Sequence, residues 1–120
     1  MDGITVKKAD PYDADAAFEA FYAMTKEEKY LFVPGDPLFK SRVRSFYLDL
    51  VKRFGSDGQY FAFVGAEPAG FIWVWKTSQP ITGETIGIIS SLYVYPQFRR
   101  KGVGRKLVLQ AEEYCRREGL

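Results

Sequence analysis

The stretch Pro96–Leu107, PQFRRKGVGRKL, constrains the fold of this chain more than any other segment. Five of the eight residues in the range Arg99–Lys106 are basic, and Gly102 and Gly104 lie among them. Glycine weakens a helix and lets other atoms approach the backbone, yet helical spacing of apolar residues starts at Val103. The preceding segment, TIGIISSLYVY, is rich in β-branched and aromatic residues and is followed by a proline. The sequence therefore predicts a strand, a basic glycine-containing turn and a helix in direct succession.

A helix that starts in this way is suited to hold a phosphate or pyrophosphate group. Its first N–H groups have no intrahelical partner and carry the positive end of the helix dipole. Basic side chains add full charges, and the glycines leave the backbone open to a ligand. A solvated basic turn would explain the charges, but each glycine costs a helix about 1 kcal/mol relative to alanine. A nucleotide site of the Walker A or dinucleotide type is disfavoured, because neither run is present and Leu107 stands where a third glycine would be needed.

Two helices are predicted in the first half of the chain, after a short strand at ITVKK. Asp13 or Asp15 is placed to cap the first helix, and its apolar side carries three aromatic residues, Phe18, Phe21 and Tyr22. The segment FVPGDP breaks the chain, Asp36-Pro37 predicts the start of the second helix, and Gly55 follows its end. The apolar residues of this second helix keep a 3/4 spacing: Phe39, Val43, Phe46, Tyr47, Leu50 and Phe54.

The second half predicts three strands and a final helix. QYFAFVGAEPAGFIWVWK indicates strands at 59–64 and 70–76 around a turn that contains Gly and Pro. The last helix follows the basic turn, with Glu112–Arg116 and Glu113–Arg117 as favourable pairs and Gly119 as its stop. Its apolar face is formed by Val103, Leu107, Ala111 and Tyr114. The predicted order is β-α-α-β-β-β-α, an α/β (α+β) fold in a single domain over residues 1–120.

The composition excludes several classes of site and partner. With 120 residues, a hydrophobic fraction of 47% and no apolar run of about 18 residues, the chain suits one small domain without a membrane-spanning helix. The absence of histidine removes Ser-His and Cys-His nucleophiles and the usual zinc sites. Cys115, the one cysteine, stands at helical spacing and is interpreted as a packing residue. Together with the lack of a signal-peptide pattern, these features predict a cytoplasmic protein without a metal or a membrane partner.

The stretch LYVYPQFRRKGVGRKLV resembles the signature of the GCN5-related N-acetyltransferase (GNAT) superfamily. The family pattern is Arg or Gln, two residues, Gly, one residue, then Gly or Ala, and it is present as Arg99-x-x-Gly102-x-Gly104. A strand end of the type Leu-x-Val-x-Pro precedes it, and the predicted elements upstream have the family's order. The resemblance implies a GNAT-like mixed, mostly antiparallel sheet. It also implies an N-acetyltransferase that moves an acetyl group from acetyl-CoA to a primary amine.

The resemblance also implies which residues bind acetyl-CoA. In that family the loop's backbone amides hold the pyrophosphate, and the end of the preceding strand makes main-chain bonds to the pantetheine arm. By position, the arm is assigned to Leu92, Tyr93 and Val94. The pyrophosphate loop is assigned to Arg99, Arg100, Lys101, Gly102, Val103, Gly104 and Arg105. Elementary chemistry agrees, because an arm that carries amides can pair with a strand edge as an additional strand does.

No residue is assigned a catalytic role. Some family members carry a glutamate at the position of Ile88, and Glu84 is expected to be solvated near the start of the strand. Four residues are candidates by proximity to the expected acetyl position: Ser90, Ser91, Tyr93 and Tyr95. For the two serines, hydroxyls hydrogen-bonded within the strand are the favoured alternative to a proton relay. The expected mechanism is direct transfer through a tetrahedral intermediate, helped by positioning and by a backbone N–H at a bulge near Leu92 or Tyr93.

The acceptor stays open between a small-molecule amine and a peptide amine. In this family the segment between the first two helices, TKEEKYLFVPGDP, commonly borders the acceptor site. Its side chains fit small amines, peptide N-termini and lysines equally well: Lys26, Glu27, Glu28, Tyr30 and Phe32. Sequence reasoning therefore gives no acceptor class.

A full GNAT domain continues with a strand parallel to the 86–94 strand, a fourth helix and two final strands, so the resemblance implies a domain that lacks these C-terminal elements. Without that neighbour, the 86–94 strand becomes an edge without charge or proline, and we expect a homodimer or association through this edge. A non-catalytic CoA-binding or interaction module that retains only the cofactor half is the alternative function. A nucleic-acid binder is disfavoured, because no aromatic residue lies within Arg99–Lys106 to stack on bases.

Overall fold

The computed structural model describes residues 3–28 and 35–120. In chain order, the elements are β1 (Ile4–Lys8), α1 (Ala14–Glu27), α2 (Phe39–Phe54), β2 (Gln59–Val64), β3 (Glu67–Ser78), β4 (Thr85–Val94) and α3 (Val103–Arg117). Short 3-10 turns precede α1 at Pro11–Asp13 and α3 at Pro96–Phe98. The predicted order β-α-α-β-β-β-α is confirmed.

The described strands form one antiparallel sheet in the order β1-β2-β3-β4. β3 is its longest strand and is buried from Ala69 to Trp75. β4 pairs with β3 on one side, so its other side is an edge of the sheet within residues 3–28 and 35–120. A bulge interrupts this pairing, because Ser91 lies opposite Trp73 and Ile89 opposite Val74, which leaves Ser90 as the extra residue.

Helices cover both faces of the sheet, because strand side chains alternate between the two faces. On one face α3 packs against β1, β2 and β3, and the buried contacts include Ile4, Ala62, Ile72, Val74, Val103, Leu107 and Ala111. On the other face α1 and α2 pack against an aromatic layer that includes Phe18, Phe21, Tyr47, Phe61, Phe71, Trp73 and Trp75. The sheet is therefore the middle of three layers, and both α1 and α3 contact β4.

The start of the first helix differs from the prediction. Asp13 occupies the N-cap of α1, but its side chain makes no capping hydrogen bond there, and Asp15 lies inside the first turn. Asp10 and Asp13 instead cap the short Pro11–Asp13 turn reciprocally. The Asp13 carboxylate accepts from the Asp10 N–H at 2.9 Å, and the Asp10 carboxylate accepts from the Tyr12 N–H at 2.8 Å. Asp13 is thus at the predicted N-cap position, but its carboxylate accepts from the Asp10 N–H of the preceding 3-10 turn rather than from an N–H of α1.

The second helix begins at Phe39 rather than at Asp36-Pro37. Asp36 still organises the entry, because one carboxylate oxygen accepts from the Leu38 N–H at 2.9 Å and the other pairs with Arg42 at 2.6 Å. Gly55 follows the end of the helix, as predicted, with a φ of 77°. On the predicted apolar face Phe46 is the exception, since it is 59% exposed.

The β2–β3 turn is tighter than the sequence predicts. Gly65 and Ala66 form the connection, and β3 begins at Glu67 rather than at residue 70. A two-residue hairpin turn favours a positive φ, which Gly65 supplies at 62°. Pro68 fits inside the strand because a bulge at Ala69 follows it.

The predicted ion pairs on the last helix are wrong. Arg116 pairs with Glu113 at 3.4 Å, one step closer along the helix than the Glu112–Arg116 pair. Arg117 donates to the Tyr60 hydroxyl at 2.8 Å instead of pairing with Glu113. The Arg117 side chain therefore binds the Tyr60 hydroxyl on β2 and not a carboxylate on its own helix.

A glycine on β3 lets the N-terminal end of α3 approach the sheet closely. A Cβ on Gly70 would lie 2.8 Å from the Tyr93 carbonyl oxygen, 3.0 Å from Leu107 Cδ1 and 3.1 Å from Val103 Cγ1. The oxygen belongs to the backbone of β4, so it cannot move away as the end of a flexible side chain can. The absent side chain of Gly70 therefore sets the distance between α3 and the strand that precedes it.

Replacing Gly70 with alanine is expected to destabilise the fold. We expect Gly70→Ala to lower the free energy of unfolding by about 1–3 kcal/mol, because overpacking forces backbone and helix apart. Urea denaturation measures this change. Gly104→Ala is the control, because its added Cβ would meet Val94 Cγ2 at 3.6 Å, an ordinary contact. Equal stability of Gly70→Ala and the unmodified chain would contradict this account of the helix position.

Candidate functional site

The path from β4 to α3 brings the predicted motif to one corner of the molecule. β4 ends at Val94, the Pro96–Phe98 turn follows, and α3 begins at Val103. Phe98 and Val103 are both buried in the core on the α3 face, so the connection is anchored at both of its ends. Between them, the basic residues from Arg99 to Lys101 are exposed.

The backbone of this connection has two left-handed residues. Arg100 has a φ of 65°, and Gly102, the N-cap of α3, has a φ of 89°. No side chain caps the helix, and the Lys106 N–H makes the first bond back to the Gly102 carbonyl at 3.1 Å. Left-handed residues among right-handed ones turn successive N–H groups toward a common point, which is how backbone nests bind anions. The helix start therefore presents unpaired N–H groups beside a strained residue, Arg100.

Gly104 lies in the first turn of α3 without a packing reason for a glycine. A Cβ at this position would meet Val94 Cγ2 at 3.6 Å, so an alanine would fit. The fold thus tolerates a side chain at a position where glycine costs about 1 kcal/mol of helix stability. An open backbone at Gly104 is what the close approach of a ligand requires.

Positive charge surrounds this helix start. Within the described part of the chain, no ion pair neutralises the side chains of Arg100, Lys101 or Arg105. Charges without acidic partners, placed at the positive end of the α3 dipole, attract an anion from solution. The sequence motif and the charge distribution of the folded chain therefore both favour an anion at the start of α3.

The end of β4 offers main-chain groups at the sheet edge. The Tyr95 N–H bonds to the Ala69 carbonyl at 2.9 Å. Because antiparallel pairs alternate between bonded and non-bonded positions, Tyr93 shares the inward orientation of Tyr95, and the N–H and C=O groups of Leu92 and Val94 point to the open edge. The Val94 carbonyl accepts from Arg99 Nε at 2.8 Å, as this orientation requires.

Arg99 joins the cofactor motif to α1. Its guanidinium lies 2.9 Å and 3.0 Å from the two carboxylate oxygens of Glu27. The Tyr93 hydroxyl donates to the same carboxylate at 2.5 Å. The Arg99 side chain thus contacts Glu27 and the Val94 carbonyl, whereas the side chains of Arg100, Lys101 and Arg105 are exposed. This three-residue contact, Glu27–Tyr93–Arg99, is called the α1–β4 link below.

The α1–β4 link changes the protonation of two of its members. The Tyr93 hydrogen bond and then the Arg99 guanidinium lower the pKa of the Glu27 carboxyl below its ordinary value. Burial, followed by the hydrogen bond to Glu27 and its negative charge, raises the pKa of Tyr93 to about 12. At neutral pH, the Glu27 carboxyl is therefore ionised and the Tyr93 hydroxyl is a neutral hydrogen-bond donor. Tyr93 is thus a poor general base.

The β4 bulge lies earlier than the sequence predicts. It occurs at Ser90 rather than near Leu92 or Tyr93. The Ser90 hydroxyl donates to the Trp73 carbonyl at 3.3 Å and lies 3.5 Å from the Ser91 hydroxyl. The sequence favours hydroxyls that are hydrogen-bonded within the strand for these two serines, and Ser90 makes a hydrogen bond of this kind within the sheet.

The other candidates have different positions. Ile88 lies opposite Trp75 near the start of β4, and Glu84 lies in the exposed loop before the strand. The Tyr95 ring packs edge-on against Tyr93 at 5.1 Å. Of the predicted acceptor-side residues, Glu27 joins the link, whereas Tyr30 and Phe32 lie outside the described residues.

Two grooves meet β4 on the α1–α2 face of the sheet. The smaller, of about 400 Å³, runs beside Glu27, Leu92, Tyr93, Val94 and Arg99. The larger, of about 620 Å³, extends from the bulge into the space between α1 and α2. Its described lining is mostly apolar: Phe21, Met24, Thr25, Glu28, Phe39, Arg42, Val43, Phe46, Leu50, Trp75, Ser90 and Ser91. We call it the α1–α2 groove.

Sequence reasoning missed both the α1–β4 link and the α1–α2 groove. Glu27 is 66 residues from Tyr93 and 72 from Arg99, and nothing in the local pattern of either segment marks the contact. The groove combines residues from two helices and two strands. Among residues 3–28 and 35–120, no cluster of three or more His, Cys, Asp or Glu residues could hold a metal ion. None of the helices in these ranges has the length and apolar character needed to cross a membrane.

Comparisons with known proteins extend these observations. The sequence model of the Acetyltransferase (GNAT) family matches residues 17–120. A search of curated proteins found no significant match. Among solved structures, a GCN5-related N-acetyltransferase from Ralstonia eutropha superposes with a TM-score of 0.73 at 21% identity, covering 98% of this chain and 78% of that one.

Two further structures have the same fold. A predicted acetyltransferase from Clostridium acetobutylicum, solved with acetyl-CoA, has a TM-score of 0.72 at 15% identity, with 98% of this chain and 76% of that one covered. An aminoglycoside antibiotic 6'-N-acetyltransferase from Acinetobacter haemolyticus has a TM-score of 0.65 at 17% identity, with 96% and 73% covered. The predicted GNAT-like α+β fold is confirmed by these superpositions. Because the family model matches most of the sequence, the chain belongs to the GNAT family of acetyltransferases and is an N-acetyltransferase.

Proposed function

We propose that the chain transfers an acetyl group from acetyl-CoA to a primary amine. The observation that carries this proposal is the open helix start at Gly102–Gly104, where the backbone is bare although the fold would accept a side chain at Gly104. A bound acetyl-CoA supplies the activated thioester. The remaining work of the protein is to bind the cosubstrate, orient the amine and exclude water.

The pyrophosphate is proposed to bind at the N-terminal end of α3. The N–H groups of residues 100–105 supply donors, with a left-handed backbone at Arg100 and Gly102 to turn them toward one point. The exposed side chains of Arg100, Lys101 and Arg105 supply charge. Arg99 acts differently, because its side chain fixes the Val94 carbonyl and Glu27.

The pantetheine arm is proposed to follow the edge of β4. Leu92 and Val94 present main-chain groups outward, whereas the Tyr93 side chain points to the α1–α2 face and closes the groove beside Glu27. From Val94 to the bulge at Ser90 the strand runs four residue steps, about 13 Å at roughly 3.3 Å each. An extended arm that starts at α3 therefore brings its thioester end toward Ser90 and Ser91.

Binding of acetyl-CoA tests the proposed site directly. We expect acetyl-CoA at 100 times its dissociation constant to stabilise the chain by about 2.7 kcal/mol in thermal melts. Gly104→Glu should abolish this stabilisation, because a carboxylate would face the phosphates. Gly104→Ala should raise the stability of the free chain by up to about 1 kcal/mol and yet weaken acetyl-CoA binding.

Leu109→Glu is the control for the added charge. Leu109 lies on the same helix, is 52% exposed, and is away from the helix start. This variant should keep the acetyl-CoA stabilisation. The site assignment is wrong if millimolar acetyl-CoA gives no shift, or gives the same shift in Gly104→Glu.

The α1–β4 link predicts a measurable change in the ionisation of Tyr93. Glu27→Gln removes the negative charge but leaves the tyrosine buried, so the pKa of Tyr93 should fall from about 12 but stay above the ordinary tyrosine value. Because the folded pKa of Glu27 is lowered, its contribution to stability is present at neutral pH and is lost as pH falls through that pKa. The stability difference between Glu27→Gln and the unmodified chain should therefore shrink in acid.

Tyrosine titration by NMR, assigned with Tyr93→Phe, measures the first effect, and urea unfolding at several pH values measures the second. Glu28→Gln is the matched control, since that carboxylate is adjacent in sequence but accepts neither the Tyr93 nor the Arg99 contact. An unchanged Tyr93 titration in Glu27→Gln would contradict the link.

We further propose that, without acetyl-CoA, two copies associate through the edge of β4, because bound acetyl-CoA would place its pantetheine arm on part of the same edge. The strand carries no charged residue from Thr85 to Val94, and Ile88, Ile89 and Leu92 are each more than a third exposed. Uncharged edges of this kind pair with other chains. Sedimentation at micromolar concentration should show a dimer, and Ile89→Lys should shift it toward monomer. Ile81→Lys, in the exposed loop before β4, is the control; a monomeric unmodified chain would overturn the proposal.

A further inference from the structure

The α1–α2 groove points to the chemical class of the acceptor. Resting on the proposed function, we propose that the acceptor is a small primary monoamine with an aromatic or branched apolar group, which binds in this groove. The groove reaches β4 at Ser90 and Ser91, on the α1–α2 face. This is the end of the strand segment toward which the extended pantetheine arm leads. An amine held there lies next to the thioester.

The lining favours an apolar group. Phe21, Phe39, Val43 and Trp75 form buried walls, and Phe46 forms an exposed rim. The Phe46 ring lies 6.3 Å from that of Phe21. A large aromatic side chain that stays 59% exposed beside a groove loses water contact when an apolar ligand enters, and this burial stabilises the complex.

The charges disfavour a polycation. Among the described lining residues, Glu28 is the one carboxylate, and Arg42 adds a positive charge that is paired with Asp36 at 2.6 Å. Each ammonium group of a polyamine or an aminoglycoside would need a carboxylate or a hydrogen-bonding set to offset its loss of water. One carboxylate at the rim can attract a single ammonium group as the acceptor enters from water, before the nitrogen reaches the apolar part of the groove.

The size of the groove suits a small molecule. Its volume of about 620 Å³ falls within the range of roughly 300–1,000 Å³ that is usual for small-molecule sites. The two serine hydroxyls at the β4 end supply polar contacts for the amine, and the apolar walls hold the rest of the molecule. This arrangement orients one nitrogen toward β4.

The same environment affects the ionisation of the bound amine. Transfer of an ammonium group into apolar surroundings disfavours its charged form and lowers its pKa. The neutral amine is the form that can attack a thioester. The groove therefore selects the reactive form without a strong base, which agrees with the absence of an assigned general base among the described residues.

The test compares two amines on the full chain. Isothermal titration of 2-phenylethylamine and of spermidine is carried out with the chain saturated with CoA, which cannot transfer an acetyl group. We expect 2-phenylethylamine to bind at least about tenfold more tightly. Phe46→Ala should weaken it roughly tenfold, as expected for loss of a buried aromatic contact. Leu48→Ala is the matched control, because Leu48 lies on the same helix, is 52% exposed and does not line the groove.

Phe46→Glu is a second variant. Because Phe46 is exposed, we expect the chain to fold with a glutamate at this position. It should reverse the preference toward spermidine. If spermidine binds as tightly as 2-phenylethylamine to the unmodified chain, the inference is overturned. Tighter binding of a peptide that begins with phenylalanine would overturn the commitment to a small molecule.

The outcomes separate this inference from the proposed function. Failure of acetyl-CoA to bind would remove the proposed function. The amine titrations can be repeated on the free chain, where they still test whether the groove prefers an apolar monoamine. Normal acetyl-CoA binding with no amine preference would leave the proposed function in place and remove the acceptor class.

Discussion

The close approach of α3 to the sheet at Gly70 determines where the open start of α3 lies, and with it the proposed acetyl-CoA site. Because Gly70 has no side chain, Val103 and Leu107 pack directly over it and beside the Tyr93 carbonyl. The first turn of α3 therefore lies next to the end of β4, and the unpaired N–H groups of the helix and the outward groups of the strand share one edge. A helix held further away would separate the two halves of the proposed acetyl-CoA site.

The α1–β4 link connects this edge to the opposite face of the sheet. Arg99 contacts a main-chain oxygen of β4 and the carboxylate of Glu27 at the end of α1. Tyr93 reaches the same carboxylate from the strand. The link therefore joins the end of β4 to the helix that borders the α1–α2 groove, through contacts of defined charge. Buried neutral tyrosine and ionised glutamate form a stable pair because each favours the other's protonation state.

The parts of this structure that the sequence predicts are those fixed by local rules. Alternation in ITVKK, the spacing from Phe39 to Phe54 and the stop at Gly55 each depend on neighbouring residues, and they are confirmed. One detail that failed depends on competition with a distant group, because Arg117 donates to the Tyr60 hydroxyl instead of pairing with Glu113. The motif at Arg99–Gly104 is recognisable as a pattern, but the contact of Arg99 with a residue 72 positions away is not.

The proposed chemistry of the α1–α2 groove does not depend on a general base. A site that relied on a general base would need a carboxylate or imidazole with a raised affinity for protons near the amine. The chain has no histidine, and the pKa of Glu27 is lowered by Tyr93 and Arg99, so this carboxylate is a weak base. An apolar wall achieves a comparable end by a different route, because it destabilises the ammonium form before reaction. In the proposed mechanism, Ser90, Ser91 and the strand edge position the uncharged nitrogen within reach of the thioester.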